Sequence, residues 1–185
     1  MAKQLPSDIK PLRRIVVRDN PEGTKSGALS DGPSPDVHLD SARPGYAATR
    51  MWVTNATPAR IENETLNKPH TIEPPKAGSV CRYLQIPPDA AWQGKVGSKE
   101  VAAYFASMGS PAASTYSSAA PHPYMQKTRT LDFALILEGE VTLVLDLEEV
   151  HLSAGDTVVL RGSNHAWSNR TDKPCLIAMS MHDAT

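Results

Sequence analysis

The fold is decided by residues 121–169, which read PHPYMQKTRTLDFALILEGEVTLVLDLEEVHLSAGDTVVLRGSNHAWSN. In this stretch short apolar runs alternate with polar residues, and a turn follows roughly every ten residues. The turns fall at Glu138-Gly139, in the acidic segment 146–149 and at Gly155-Asp156. Strands this short and this closely spaced predict an all-β sandwich or barrel, because a fold of alternating strands and helices needs longer connections.

The rest of the chain predicts more strands and one helix. Strand-like patterns lie at 14–17, 26–30, 49–54, 79–86 and 175–181. A single segment departs from this pattern at 99–108, where Val101, Phe105 and Met108 recur at helical spacing. Ser98 stands where an N-cap belongs, and Gly109 stands where a C′ glycine belongs. We therefore predict an N-terminal β extension and one short helix.

In the predicted strand at residues 79–86, the side chains alternate between two faces. One face carries Val80, Arg82, Leu84 and Ile86, and the other carries Ser79, Cys81, Tyr83 and Gln85.

Composition limits the classes of protein to which the chain can belong. The 19 Lys and Arg residues nearly balance the 20 Asp and Glu residues, which gives no electrostatic case for nucleic acid binding. No apolar run approaches the ~18–20 residues that span a bilayer, so no membrane segment is predicted. The N-terminal residues lack the apolar core of a signal peptide, and two widely separated cysteines fit a reduced compartment. The chain is expected to be cytoplasmic.

The 185 residues are enough for one domain. Residues 1–12 are predicted to be a flexible arm, and residues 13–185 to form one domain whose core motifs span 120–182. The small polar residues of 110–121 predict a flexible loop over one mouth of the barrel.

One motif near the end of the deciding stretch resembles the second motif of the cupin family. That motif has a glycine, a strand, and then Gly-x-x-His-x-x-x-Asn, which here are Gly155, Gly162, His165 and Asn169. The resemblance implies a cupin-type β-barrel, the double-stranded β-helix or jelly roll. It also places His165 inside the barrel, where metal-binding cupins use this histidine as a ligand.

The first cupin motif is only partly present. It has the form His-x-His, a few residues, Glu, six residues and Gly, and counting back from Gly139 places Asp132 at the acidic position. The two histidine positions fall on Gln126 and Thr128. The segment is also similar to one found in small single-domain cupins of catabolic and secondary metabolism. Thr128, Thr130 and Asp132 match that segment, whereas Gln126, Lys127 and Phe133 depart from it.

The resemblance implies a candidate site inside the barrel. His165 and Asp132 are the candidate catalytic residues, because an imidazole and a buried carboxylate can exchange a proton with a substrate. Gln126, Thr128, Thr130 and Trp167 are the candidate substrate-binding residues. The leading hypothesis is an enzyme without a cofactor that isomerises, dehydrates, cyclises or decarboxylates an oxygenated, polyketide-like compound. Its partner would be that small molecule.

Two other functions remain open at this point. In the first, a divalent metal (Fe, Mn, Ni or Zn) is held by His165, Asp132 and Gln126, with or without His122, and the protein is a dioxygenase or lyase. In the second, the barrel binds a small ligand without catalysis. A homodimer through the β extension is expected in each case, since residues 12–54 offer strands beyond those of a barrel core. The other histidines, His38, His70 and His151, are expected to be solvated, and His182 to reach the barrel mouth.

Overall fold

The computed structural model describes residues 5–185, and most of its regular secondary structure is antiparallel strand. A single α-helix, α1, spans Ser98–Ser107 of this described region. The strands are β1 (Arg13–Asp19), β2 (Ser26–Pro33), β3 (Val37–Leu39), β4 (Ala47–Thr54), β5 (Ser79–Ile86), β6 (Thr130–Glu138), β7 (Glu140–Val144), β8 (Glu149–Ser153), β9 (Thr157–Arg161), β10 (Ala166–Ser168) and β11 (Cys175–Asp183). Short 3₁₀ turns occupy Asp89–Ala91 and Pro111–Ala113.

The strands form three sheets. The largest has six strands in the order β3-β4-β5-β11-β6-β9, and a smaller one has the order β10-β7-β8. One continuous apolar core contains buried residues from both of these sheets and from α1. This arrangement confirms the predicted all-β barrel of the jelly-roll type with one short helix.

The strands β1 and β2 pair only with each other and form a separate hairpin. This hairpin is the β extension that the sequence predicted. Its outer residues Ile15 and Val17 are 50% and 70% exposed, respectively. The hairpin therefore leaves an apolar strip open to solvent.

The strand β6 determines what faces the interior. Thr130, Asp132, Ala134 and Ile136 alternate into the barrel and are almost completely buried. The intervening side chains point outward, and these are Leu131, Phe133, Leu135 and Leu137. Side chains on a strand alternate with a period of two, so one register fixes both faces. The more apolar face of β6 is thus the outer one.

The helix α1 follows its sequence signals closely. Val101, Phe105 and Met108 are buried in the core, as predicted from their spacing. The N-cap is Gly97, one residue before the predicted Ser98, and its N–H donates to the Glu100 carboxylate. Glu100 therefore satisfies a backbone donor at the start of the helix, where a capping serine was expected.

The predicted flexible arm has ordered contacts in its second half. Residues 1–4 of that prediction lie outside the described residues. Ile9 is buried, the Gln85 side-chain amide donates to the carbonyl of Asp8 (2.7 Å), and the N–H of Lys10 donates back to the same side chain (3.0 Å). This reciprocal pairing satisfies a buried amide and fixes residues 8–10 against β5. The prediction of an unstructured arm was wrong for these three residues.

Candidate functional site

The candidate site lies inside the barrel between the two larger sheets. We call the space bounded by Arg82, Gln126, Thr128, Asp132 and His165 the inner chamber. Tyr46, Tyr104 and methionine, leucine and isoleucine side chains from the core complete its wall. The chamber volume that is open to the centres of water molecules is about 20 Å³. This volume holds one or two waters.

The turn before β10 fixes the position of His165. Gly162 has φ of +66°, a conformation that glycine adopts without strain. Backbone hydrogen bonds then join His165 and Gln126 in both directions, at 3.0 and 2.8 Å. These main-chain contacts hold His165 in the chamber, where its imidazole is almost wholly buried.

The hydrogen bonds of the His165 ring assign its tautomer. Nδ1 lies 2.9 Å from the Ser163 carbonyl, which can only accept, so Nδ1 carries the proton and donates. Nε2 is then the acceptor, and the Gln126 amide nitrogen lies 3.3 Å from it. Burial lowers the pKa of His165 below its ordinary value, against the opposing effect of the Ser163 carbonyl. The ring is therefore neutral, with its basic nitrogen directed to Gln126.

The carboxyl group of Asp132 is almost completely buried, as only 1% of the residue is exposed. Its Oδ1 has no hydrogen-bond partner among residues 5–185. Burial raises the pKa of Asp132 from 3.8 to about 6, although Thr130 and Arg82 act in the opposite direction. A carboxyl with such a pKa can hold or release a proton near neutral pH.

The sequence interpretation missed Arg82, which also lines the inner chamber. Its Nη2 donates to the carbonyls of Thr71 and Ile72, at 2.6 and 2.8 Å, and its Nε is buried without a partner in the described chain. A signal was present, because the alternation of 79–86 puts an arginine on the apolar, inward face of a strand. A buried arginine is rare unless it serves a charge or a ligand.

A second, deeper chamber adjoins the first and is bounded by Arg43, Tyr124, Gln126 and Trp167. The volume of this second chamber, measured in the same way, is about 30 Å³. Trp167 was predicted on the same strand face as His165, and the two rings lie 5.9 Å apart edge to face. Trp167 therefore belongs to the deeper chamber, while Gln126 lines both chambers together with Tyr46, Leu84 and Tyr104.

Arg43 is the second residue that the sequence interpretation missed. Its guanidinium lies over the rings of Tyr46, Tyr104 and Tyr124 at 3.9, 4.5 and 3.5 Å. Its Nε donates to Asp40 at 2.7 Å, which pairs the buried charge. No sequence signal identified this residue, since it lies in the loop between β3 and β4.

The two predicted threonines occupy different places. Thr128 lines the inner chamber, and its hydroxyl is 2.7 Å from that of Thr130. Thr130 is absent from the inner wall and lies beside a larger cleft on the outside of the barrel, which Thr128 also borders. Thr130 thus supports Thr128 and Asp132 from outside the chamber that it was predicted to line.

The segment 110–121 was predicted to be a flexible loop, and part of it is paired. Ala113 accepts a hydrogen bond from the N–H of Lys127 (2.8 Å), and Ser114 bridges to Gln126. The loop thereby holds Gln126 in place from the side opposite His165.

The predictions for the remaining histidines were partly wrong. His122 is buried against Trp92 and lines neither chamber, and burial lowers its pKa to about 4. His70 is largely buried and lies 3.2 Å from a carboxylate oxygen of Asp36, and its ring stacks near that of His38. Only the side chain of His151, at 61% exposed, is as solvated as expected.

His182 lies on the outer face of the six-stranded sheet beside Phe133 and not at the barrel mouth. Its strand neighbours Ala178 and Ser180 share that face by alternation.

The side chains of the candidate metal site do not fit a resident transition metal. Gln126 presents its amide nitrogen to His165, whereas a metal would require the amide oxygen. His122, the fourth proposed ligand, lies outside the chamber lining. In the part of the chain that the structure describes, no three His, Cys, Asp or Glu side chains are grouped to hold a metal ion.

Fold and site together define a small antiparallel β-barrel with an enclosed polar site whose centre is one histidine and one carboxylic acid. Residues 118–181 match the family model described as the cupin domain. Within these residues the chain is similar to the cupin superfamily, as the motifs around His165 predicted.

Curated relatives match a short part of the chain. "Phomopsin biosynthesis cluster protein D" of Diaporthe leptostromiformis is 46% identical over 48 residues, which are 25% of this chain and 25% of the relative. "Oryzines biosynthesis cluster protein J" of Aspergillus oryzae is 42% identical over 48 residues, which are 25% of this chain and 27% of the relative. The chain thus spans about a quarter of the length of the curated relatives that it matches.

Solved structures resemble the chain more distantly. A Cupin 2 conserved barrel domain protein from Salinispora arenicola has 18% identity and a TM-score of 0.41, and the match covers 80% of this chain and 82% of the other. The EutQ protein of Clostridium difficile has 12% identity and a TM-score of 0.42, with coverage of 92% and 88%, respectively. No helix in the described residues is long and apolar enough to cross a membrane.

Proposed function

We propose that the chain is an enzyme that uses acid–base chemistry in the inner chamber to isomerise, dehydrate, cyclise or decarboxylate an oxygenated, polyketide-like compound. The observation that carries the proposal is the pairing of a neutral imidazole with a carboxyl of pKa about 6 in one buried space. Two groups whose environments shift their pKa values towards each other can divide the roles of acid and base. The relatives from biosynthesis clusters support a place in secondary metabolism.

In this mechanism His165 accepts a proton from the substrate through Nε2, after the Gln126 amide has moved to the substrate oxygen. Protonated Asp132 returns a proton to another atom of the substrate. Proton exchange then restores the neutral form of His165 and the protonated form of Asp132. Arg82 stabilises the developing enolate oxygen through its unpartnered Nε–H. Gln126 is one of four side chains that line both chambers, so its displacement would also widen the passage between them for the substrate.

Solvent deuterium provides the test, because isomerisation through an enolate and decarboxylation place a solvent proton on carbon, and reversible removal of a carbon-bound proton ahead of dehydration or cyclisation exchanges that proton with water. The protein is incubated in D₂O with a panel of hydroxy- and keto-compounds, and mass spectrometry follows product and deuterium content. We expect turnover with incorporated deuterium, which Asp132→Asn removes. Binding of a panel compound in the barrel without conversion or exchange would favour a ligand-binding protein without catalysis.

The pH dependence of turnover follows from the two pKa shifts. His165 must be neutral, so activity is lost as the pH falls through its lowered pKa. Asp132 must be protonated, so activity is also lost as the pH rises through about 6. We expect a bell-shaped profile of kcat with its maximum below pH 6, measured in buffers of constant ionic strength. A plateau that extends to pH 8 would contradict the role of Asp132 as acid.

Purified protein is expected to contain transition metal at well below one equivalent, because amide and hydroxyl groups replace imidazole at positions 126 and 128. Elemental analysis by plasma mass spectrometry measures this directly. Full occupancy by one metal that resists chelation, with activity lost when it is stripped, would contradict the cofactor-free mechanism.

The assembly is proposed to be a homodimer through the β1–β2 hairpin. The exposed Ile15 and Val17 form an apolar strip on a strand pair that no other strand of the described chain covers. The outer face of β6 offers Phe133, which is 43% exposed, and its neighbours as a complementary surface on a second copy.

Light scattering at micromolar concentration is expected to give twice the chain mass. The double change Ile15→Glu and Val17→Glu should reduce it to the mass of one chain, because burial of two carboxylates at an apolar interface is unfavourable. Leu147→Glu is the matched control, since Leu147 is 98% exposed and lies outside both surfaces. A native protein that scatters as a monomer would refute the dimer.

A further inference from the structure

A large cavity, open to solvent, lies outside the barrel. We call it the outer cleft, and its volume is about 870 Å³. It is bounded by residues 127–131, by Arg161 and Gly162, and by Glu73. The cleft is far larger than the two inner chambers, so it can take a whole small molecule or a large part of one.

Positive charge predominates around the outer cleft. Lys127, Arg129 and Arg161 line it and are exposed, and none of them takes part in an ion pair within residues 5–185. Glu73 contributes the one carboxylate side chain of the lining, and that carboxylate accepts a hydrogen bond from Ser110. The three cations face the carboxylate of Glu73 and the main-chain carboxylate of Thr185, which also lines the cleft, in a chain whose net charge is −1.

The floor of the cleft is polar and closely fitted. The hydroxyls of Thr128 and Thr130 lie there as a hydrogen-bonded pair. Gly162 borders them, and a Cβ at this position would lie 3.1 Å from the Thr128 carbonyl. Thr128 also lines the inner chamber, so the floor of the cleft is the outer wall of the candidate active site.

We infer that the outer cleft binds a carboxylate group of the ligand through Arg129, Arg161 and Lys127. Guanidinium groups match the two oxygens of a carboxylate, and an ammonium adds a point charge. For the enzyme this inference names the substrate class, an organic carboxylate, and to that extent it rests on the proposed acid–base function. The binding of the carboxylate itself does not depend on turnover.

Benzoate and benzamide are suitable probes, because they share a ring and differ in charge. The full-length ¹⁵N-labelled protein is titrated with each, and NMR shifts of the backbone amides of 127–131 and 161–162 report binding. We expect benzoate to shift these signals at a several-fold lower concentration than benzamide, and added NaCl to reduce the difference.

Substitution of single arginines in the cleft tests whether these residues bind the carboxylate. Arg161→Gln and Arg129→Gln are each expected to weaken benzoate binding by about two- to fivefold, as for other exposed charge pairs, and the double change by about tenfold. Arg60→Gln removes the same charge from an exposed residue outside the cleft and should leave binding unchanged. Equal affinity for the two probes, or equal weakening by Arg60→Gln, would overturn the inference.

The outcomes also separate this inference from the proposed function. In Asp132→Asn, benzoate should still bind in the cleft while turnover is lost. If benzoate binds as described but no carboxylate is converted, the carboxylate site stands and the acid–base function fails. If turnover is found but charge in the cleft has no effect on benzoate binding or on KM, the function stands and this inference fails.

Discussion

Turnover is expected to fall by ~10²–10⁴-fold when His165 is replaced by alanine, which is the usual cost of losing a general acid–base group. The fold should survive, because the contacts that join His165 to Gln126 are made by backbone atoms, which alanine retains. The lost side chain leaves a small void next to a chamber that already has room for water. His151→Ala is the matched control, since it removes an imidazole whose side chain is 61% exposed.

Kinetics and thermal melting followed by circular dichroism on the same sample distinguish two roles for His165. A purely structural histidine would cost roughly 1–3 kcal/mol of stability, as other buried substitutions do, and spare the activity of the folded fraction. An early melt with normal turnover per folded molecule would therefore exclude His165 as the proton acceptor. Asp132 alone, or a binding role without catalysis, would then be the better assignment.

Asp132→Asn is expected to raise the stability of the protein at pH 8 by up to about 3 kcal/mol and to leave it nearly unchanged at pH 4. The pKa of Asp132 is raised by burial from 3.8 to about 6 in the folded state. The folded protein therefore binds more protons than the unfolded chain between these values, and stability falls as the pH rises from about 4 to about 6. A shift of about two units corresponds to about 3 kcal/mol.

Asparagine keeps the shape of the side chain and removes the charge, so the variant escapes this loss. Urea unfolding of both proteins at pH 4 and pH 8 measures the difference in the free energy of unfolding. Asp172→Asn is the control, because Asp172 is exposed in the turn before β11. A variant that is destabilised equally at both pH values would show that the Asp132 carboxylate is well accommodated and that its pKa is not raised.

The same variant is expected to lose turnover, since it can no longer donate a proton. A residue whose replacement increases stability and abolishes activity lowers the stability of the native protein in exchange for function. Asp132 would then be explained by function, because Thr130 and Arg82 offset the burial of its charge only in part.

The strand β6 shows that hydrophobic pattern alone would place the wrong face of a strand in the core. Its apolar stripe begins at Leu131 and Phe133, and by its apolar character that stripe would be placed in the core. The structure places it outside and buries Thr130 and Asp132. The motif around Asp132 predicted the correct face, because it depends on which residue type stands at a given position and not on how apolar each face is.

The helix α1 and the turn at Gly162 were predictable for a different reason. Capping, helical spacing and the need for a glycine at positive φ act within a few residues of the chain. The inward direction of His165 and Asp132 was predicted from the resemblance to the cupin motifs and not from these local features.

The rest of the site depends on residues that are far apart in sequence. Arg43 comes from a loop some eighty residues before Tyr124, whose ring it covers at 3.5 Å. The outer cleft exists because 127–131 lies beside Arg161 and Glu73. No periodicity within one segment specifies these neighbours.

By itself the sequence determined the all-β class and the single helix, because these follow from alternation, capping and turn spacing over short distances, and the resemblance to the cupin motifs implied the inward position of His165 and Asp132. Only the tertiary structure decided the neutral tautomer of His165, the raised pKa of Asp132 and the positive outer cleft. Those properties depend on burial and on charges brought together across the barrel, and burial and charge are set by the packing of distant segments.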